Sequence, residues 1–160
     1  ETFFLPSIIQ PVCNHTFVVK ESLLNYPLLG PVLSAEKPIT VTRTNARQDL
    51  MTVLEKGQEK LANGESIIIF AQGTRKPDVK AEDFSSLGVK LAKKANAPVI
   101  PIALKTNAWG TSPVTKDFGT INPDIPIRIS FGEPFEIISN NGKEEHQKCL
   151  DFIINTYNSF

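Results

Sequence analysis

Residues 66–75 read SIIIFAQGTR, and this stretch decides the fold class. The first six residues are mostly β-branched or aromatic and show no polar alternation, which predicts a buried parallel strand. The Gly73-Thr74-Arg75 turn should then emerge at the carboxyl end of that strand, where open α/β sheets collect their ligands. Gly73 lets backbone N–H groups approach an oxyanion, and Arg75 can bind phosphate through two parallel hydrogen bonds. The stretch indicates a phosphate site, although a plain turn with a solvated arginine would have the same local sequence.

The remaining periodicity predicts strands and helices in alternation. Strands are predicted at residues 16–20, 38–43, 66–71, 99–104 and 125–131, and helices at residues 22–29, 45–63, 83–96 and 143–157. Such alternation is typical of an α/β fold. We therefore expect a single domain over residues 1–160, with a largely parallel central sheet flanked by helices.

Local signals set the predicted boundaries. Asn45, with Gln48 three residues later, predicts a cap for the second helix, and Gly64 its end. Asp83 is predicted to cap the third helix. Pro27 should break the first helix, and residues 30–31, Gly-Pro, should end it. His15 is expected in the loop before the first strand, and residues 110–124 in a long loop near the site.

Composition narrows the functional classes. The 160 residues include 17 Lys and Arg against 17 Asp and Glu, so no overall charge favours nucleic acid as a partner. No apolar run approaches the roughly 18 residues of a membrane span. Cys13 and Cys149 form no metal-binding pattern, which favours reduced thiols over a disulfide. No metal site is predicted.

Four blocks, which occur along the chain in the family's order, resemble the 1-acylglycerol-3-phosphate O-acyltransferase (lysophosphatidate acyltransferase) family. Residues 70–75 are similar to the family's Phe-Pro-Glu-Gly-Thr-Arg block. Residues 38–43 are similar to a family strand that ends in arginine, and residues 99–103 are similar to the family's Val-Ile-Pro-Ile-Ala strand. The resemblance extends over nearly the whole chain. It implies a glycerolipid acyltransferase-like fold.

The family's first block is His-x-x-x-x-Asp, with Glu at the acidic position in some bacterial branches. In those branches the acidic position begins the run Glu-Thr-Phe. This chain begins Glu1-Thr2-Phe3. The resemblance implies that Glu1 is the acidic partner of a histidine five positions upstream. The expectation is therefore an N-terminally truncated acyltransferase catalytic domain, inactive by itself because the catalytic histidine is missing.

The activity that the resemblance implies is acyl transfer from acyl coenzyme A or acyl carrier protein to a hydroxyl of lysophosphatidate or a related lysophospholipid. No cofactor is implied beyond that acyl donor. Ala71-Gln72 replaces the family's commonest Pro-Glu, so the acceptor could be another lysophospholipid. The implied substrate-binding residues are Arg43, Gln72, Gly73, Thr74 and Arg75, together with Lys20 and Pro101.

The resemblance also implies a location at the cytoplasmic face of the membrane, peripheral or anchored by the missing N-terminal part. Lys90, Lys93 and Lys94 are interpreted as a solvated helix face, with a patch for an acidic carrier protein or anionic lipid as the alternative. A non-catalytic lipid- or phosphate-binding module remains an alternative function. A phosphotransfer domain is disfavoured, since the sequence has no Gly-x-x-x-x-Gly-Lys loop.

Overall fold

The architecture is taken from a computed structural model, which describes residues 4–27, 29–73, 79–108, 110 and 119–160. The helices are α1 Phe4–Ile9, α2 Leu29–Ala35, α3 Ala46–Ala62, α4 Leu87–Ala95 and α5 Lys143–Ser159. The strands are β1 His15–Lys20, β2 Ile39–Val41, β3 Ser66–Ile69, β4 Ile102–Lys105 and β5 Arg128–Phe131. Short 3₁₀ turns lie at Glu21–Asn25 and Ala81–Asp83. None of the described helices is long and apolar enough to cross a bilayer.

β1 is the central strand of a parallel three-stranded sheet, with β2 on one side and β3 on the other. Val18 is level with Ile39 of β2 and with Ile69 of β3. β4 and β5 form an antiparallel pair. Helix α3 packs against β2, β3 and α4, and α5 packs against β4. The predicted α/β class, with a largely parallel sheet flanked by helices, is confirmed.

Both faces of the parallel sheet are covered by apolar side chains. One core cluster joins Ile39 and Val41 of β2 to Val53 of α3 and Leu91 of α4. The other joins Leu5 of α1 to residues 17 and 19 of β1, with side chains from β3, β4 and β5 packed against it. Because alternate residues of a strand point to opposite faces, β1 contributes to both clusters. The sheet is therefore buried on both faces, as a continuous apolar strand such as residues 66–69 requires.

The ends of α3 agree with the sequence prediction. The Asn45 side chain accepts a hydrogen bond of 3.1 Å from the backbone N–H of Gln48. The helix ends at Ala62, and Gly64 follows in the left-handed region with φ 79°. Both signals are local, since a cap needs only its own side chain and the next turn of backbone.

The prediction for residues 22–31 is correct in placing a short helical turn before Pro27 and wrong about Gly30 and Pro31. Residues 21–25 form a 3₁₀ turn, and Gly30 and Pro31 lie at the start of α2 rather than after a helix. Pro31 is tolerated there because the first turn of a helix leaves its N–H groups without intrahelical partners. A Cβ on Gly30 would stand 2.0 Å from the backbone oxygen of Leu24. Gly30 is thus required for close backbone approach and does not terminate a helix.

Two further predictions need correction. Asp83 ends the 3₁₀ turn, and the N-cap of α4 is Ser86. His15 does not lie in a loop: it is the first residue of β1, is 6% exposed and meets the ring of Phe17 edge-on at 5.3 Å. The four later strands are shorter than predicted, whereas β1 begins one residue earlier. The predicted strand at residues 99–104 is observed as β4, with Val99 bridging to Phe135.

The start of α5 is anchored by a carboxylate. Glu145 Oε1 accepts hydrogen bonds from the backbone N–H groups of Ile138 (2.8 Å) and Ser139 (2.7 Å), and Oε2 accepts one from the Ser139 hydroxyl. These contacts, led by the Ser139 hydroxyl, lower the pKa of Glu145 to about 2. Lys93 Nζ reaches the same loop and donates to the backbone oxygens of Ser139 and Asn140. Lys93 therefore holds the loop that precedes α5, whereas Lys90 and Lys94 are exposed.

Candidate functional site

The carboxyl ends of the three parallel strands bring three of the predicted site residues, Lys20, Arg43 and Gly73, to one edge of the sheet. Lys20 ends β1 and is level with Val41, the last residue of β2. Arg43 follows two residues after β2, and Gly73 follows four residues after β3. Parallel strands present their carboxyl ends at the same edge, so both loops open on one side of the molecule.

Arg43 and Gly73 are in direct contact across this edge. Arg43 Nη1 donates a hydrogen bond of 2.6 Å to the backbone oxygen of Gly73. Because β2 and β3 lie on opposite sides of β1, the bond crosses the end of the central strand, where the exposed Lys20 is located. The structure thus joins the two motifs that the sequence predicted to act together.

The backbone of Arg43 is in an uncommon conformation. Its φ is 61°, in the left-handed region that non-glycine residues rarely adopt. The carboxylate of Asp49, in the first turn of α3, supports this conformation. Oδ1 accepts from the Thr42 N–H (2.8 Å) and the Thr42 hydroxyl (3.1 Å), and Oδ2 accepts from the Arg43 N–H (2.7 Å). The turn between β2 and α3 is therefore held by the helix that follows it.

These hydrogen bonds also change the acidity of Asp49. The Thr42 N–H makes the largest contribution and the Arg43 N–H adds to it, and together they lower the pKa of the Asp49 carboxyl despite an opposing effect of desolvation. Asp49 was not among the residues predicted from the sequence. The available signal was an acidic residue in the first turn of a helix, but that position is common for reasons of the helix dipole alone.

Two threonines complete the turn. The Thr42 hydroxyl accepts hydrogen bonds from the Thr44 N–H (3.2 Å) and from the Thr44 hydroxyl (2.9 Å). Together with the Asn45 cap, these contacts satisfy the polar groups of the backbone between β2 and α3. The turn that carries Arg43 is consequently held by hydrogen bonds to the side chains of Asp49, Thr42 and Asn45.

Gln72 lies between β3 and Gly73. It forms an isolated antiparallel bridge with Phe84, and the neighbouring Ser85 N–H donates to the Ala71 oxygen (2.9 Å). The Gln72 Nε2 atom is buried and has no hydrogen-bond partner among the described residues. Gly73 is exposed, and a Cβ built there would meet no described atom within 4 Å. The site loop therefore holds a buried amide donor without a partner among the described residues, next to an exposed glycine.

The other predicted residues differ in what the structure says of them. Pro101 is buried, and its ring lies 2.8 Å from a Cβ built on Gly132, so it packs between β4 and the segment after β5. Its predicted contact with substrate stays a prediction. Glu1, Thr74 and Arg75 lie outside the described residues, and so does most of the predicted loop at residues 110–124.

The arrangement is suited to binding an anion. The described residues engage only one of the five N–H donors of the Arg43 guanidinium, and no described residue beyond its chain neighbours lies within 4 Å of a Cβ built on Gly73. Lys20 adds a second positive charge at the same edge. The described part of the chain contains no group of three His, Cys, Asp or Glu residues able to hold a metal ion.

Comparisons with known proteins match most of the chain. The sequence model of a family described as Acyltransferase matches residues 3–105. A 1-acyl-sn-glycerol-3-phosphate acyltransferase of Pseudomonas aeruginosa is 36% identical over 91% of this chain and 56% of its own length. An enzyme of the same name from Limnanthes alba is 29% identical over 73% of this chain and 40% of its own length.

A solved structure shares the fold. The crystal structure of the 1-acyl-sn-glycerophosphate (LPA) acyltransferase of Thermotoga maritima superposes with a TM-score of 0.66 and 21% identity, over 98% of this chain and 61% of that one. The chain spans about half the length of the curated relatives it matches.

Proposed function

This chain belongs to the acyltransferase family, and from that membership we propose that its natural protein transfers a fatty acyl group from an acyl thioester to a hydroxyl of lysophosphatidate or a related lysophospholipid, in phospholipid biosynthesis. The single observation that carries the proposal is the Arg43–Gly73 contact at the carboxyl edge of the sheet. The name of the Pseudomonas relative, 36% identical over most of the chain, supports the choice of substrate class.

In this proposal the basic edge binds the phosphate of the acceptor. Arg43 supplies guanidinium N–H donors, and the Gly73-Thr74-Arg75 motif supplies the backbone approach and a second guanidinium. Charge-assisted hydrogen bonds of this kind are stronger than neutral ones, so these residues should govern affinity for the acceptor. Gln72 would bind a hydroxyl of the acceptor backbone through its buried Nε2 donor.

The reaction forms a C–O ester bond, breaks the C–S thioester bond and moves one proton from the hydroxyl oxygen to the thiol sulfur. The acceptor hydroxyl oxygen attacks the thioester carbonyl carbon, the C–S bond breaks and the thiol leaves with a proton. A general base must remove the hydroxyl proton as the attack proceeds. The family resemblance assigns that base to a histidine five positions before Glu1, with Glu1 orienting the imidazole and stabilising its cationic form.

We propose coenzyme A or acyl carrier protein as the carrier of the acyl group. The acceptor is a lipid whose acyl chain resides in a bilayer, whereas both donors are water-soluble. A site that serves both substrates must lie at the membrane surface, and we place it at the cytoplasmic face.

Purified protein from the complete natural reading frame provides the test. Acyl coenzyme A or acyl carrier protein is supplied with lysophosphatidate, glycerol 3-phosphate or lysophosphatidylcholine, and thiol release is followed together with the mass of the lipid product. We expect thiol release that depends on lysophosphatidate and yields phosphatidate. Binding of lysophosphatidate without acceptor-dependent thiol release would instead indicate the non-catalytic lipid-binding module.

A further inference from the structure

We propose that Asp49 is a positioning residue of the acceptor site, acting through Arg43. The inference rests on the proposed function, because it concerns how the phosphate-binding arginine is held. It goes beyond that function in assigning a role to a side chain that belongs to none of the motifs.

The first step is the geometry at the turn. The two carboxylate oxygens of Asp49 accept the adjacent N–H groups of Thr42 and Arg43, at 2.8 and 2.7 Å. Two successive N–H groups directed at one acceptor define the path of the backbone at that point. Since Arg43 has φ 61°, this path is one that the residue would otherwise avoid. Asp49 therefore selects the backbone conformation from which the Arg43 side chain departs.

The second step concerns charge. A carboxylate near an arginine usually pairs with the guanidinium, which would neutralise the group needed for an anion. Here the carboxylate oxygens are occupied by backbone N–H groups and the Thr42 hydroxyl, while the guanidinium turns to the uncharged Gly73 carbonyl. No ion pair joins Asp49 to Arg43. Asp49 thus binds the backbone of Arg43 directly. The pKa of Asp49 is lowered most by the Thr42 N–H and least by the attraction of the Arg43 guanidinium.

The third step is the position of the carboxylate. Asp49 is fixed on α3, whose packing against β2 and β3 is part of the core. Asp49 therefore attaches the Arg43 turn to the packed unit of α3 and the sheet. Residues that act by holding another group in place typically change affinity without contacting the ligand.

The test uses the protein of the complete reading frame with Asp49→Ala, Asp49→Asn and the control Glu55→Gln, which removes an exposed carboxylate from the same helix. Asp49→Ala should raise the acceptor KM roughly tenfold and leave kcat within about twofold, because turnover of bound substrate does not involve the turn. Asp49→Asn keeps one oxygen but points an amide N–H at a backbone N–H, so its KM should lie between wild type and alanine. Glu55→Gln should match wild type.

A double-mutant cycle with Arg43→Ala separates positioning from mere stability. If Asp49 acts through Arg43, Asp49→Ala should have no further effect on the acceptor KM once Arg43 is alanine. An equal KM increase in both backgrounds, or a loss of kcat with unchanged KM, would overturn the inference. Should Asp49→Ala fail to fold, the same comparison is made with Asp49→Asn.

Binding of glycerol 3-phosphate, measured by calorimetry on the same variants, keeps the two proposals distinguishable. Wild-type protein that binds this phosphate but does not turn over would count against the acyltransferase activity alone, and the Kd values of the Asp49 variants would then decide the positioning role. Absence of both turnover and binding in wild type would contradict both proposals.

Discussion

Arg43 Nη1 lies 2.6 Å from the carbonyl oxygen of Gly73, a residue thirty positions farther along the chain. This bond joins the turns that follow the two outer strands of the parallel sheet, across the end of the central one. It brings an arginine identified by one motif into contact with a glycine identified by another. The two sequence blocks are therefore one site in space.

Gly73→Ala is expected to affect ligand binding and not folding. A Cβ at this position would meet no described atom within 4 Å, and Gly73 does not have a left-handed φ, so the melting temperature should stay within about 1 °C of wild type. The methyl group would occupy the space through which an oxyanion approaches the backbone. Acceptor saturation curves should show a KM raised several-fold. A lower melting temperature with unchanged KM would show that the glycine serves the fold.

Arg75→Ala should raise the acceptor KM by roughly tenfold, the loss of one charge-assisted contact, and leave the donor KM nearly unchanged. Arg75→Lys should rescue only part of the loss, because a point charge cannot reproduce the bidentate geometry of a guanidinium. If both arginines bind one phosphate, the double variant should lose less acceptor-binding free energy than the sum of the losses in Arg75→Ala and Arg43→Ala. Steady-state kinetics with each substrate varied in turn would check this, and changes confined to the donor KM would place the loop at the thioester instead.

Glu145 should make stability depend on pH. Its folded-state pKa of about 2 is below the ordinary value of 4.5, so its stabilising contribution is fully present above about pH 4.5 and is lost as pH falls toward 2. Glu145→Ala should lower the melting temperature by several degrees at pH 7, because the N–H groups of Ile138 and Ser139 lose their acceptor. The difference in melting temperature between Glu145→Ala and wild type should shrink as the pH is lowered from about 4.5 toward 2.

Glu144→Gln is the matched control, since Glu144 is the adjacent, exposed carboxylate of the same helical turn. It should melt close to wild type at every pH. Thermal unfolding of the three proteins between pH 2.5 and 7 makes the comparison. A difference between wild type and Glu145→Ala that is independent of pH would contradict the assignment to the ionised carboxylate.

Gly30→Ala should be strongly destabilising, by about 3 kcal/mol or more, because its Cβ would meet the Leu24 backbone oxygen at 2.0 Å and no side-chain rotation can relieve that clash. Gly64→Ala is the comparison: it has φ 79° but open space around it, so strain alone should cost about 1 kcal/mol. Chemical denaturation of both variants would rank them. A Gly64→Ala variant less stable than Gly30→Ala would refute the packing of the Glu21–Asn25 turn against α2.

The sequence predicted those features that depend on neighbouring residues. The apolar run at residues 66–69 and the Asn45 cap each need only a few positions of context, and both were predicted correctly. Gly30 and Pro31 were misassigned because the same dipeptide can end one helix or open the next, and only the Leu24 contact decides between them. Local sequence carries no information about such a contact.

The site was predictable to a similar extent. Arg43 and Gly73 could be assigned from motifs, and strand parallelism explains why they meet. The proposed role of Asp49 could not be predicted from the sequence. It depends on the left-handed φ of Arg43, and the sequence of residues 42–49 does not reveal that backbone angle. The loop expected at His15 is wrong for a similar reason: packing against Phe17 buries His15 in the sheet, and local sequence does not reveal that contact.

The most direct test of the account is the acceptor selectivity of Arg43→Ala. The ratio of kcat/KM for lysophosphatidate to kcat/KM for monoacylglycerol, which lacks the phosphate, is measured for wild type, Arg43→Ala and the control Arg47→Ala, an exposed arginine of α3. Arg43→Ala should lower the ratio roughly tenfold, since it removes a contact made only to phosphate, and Arg47→Ala should leave it unchanged. An unchanged ratio in Arg43→Ala, with both rates reduced equally, would contradict the claim that this edge of the sheet binds the acceptor phosphate.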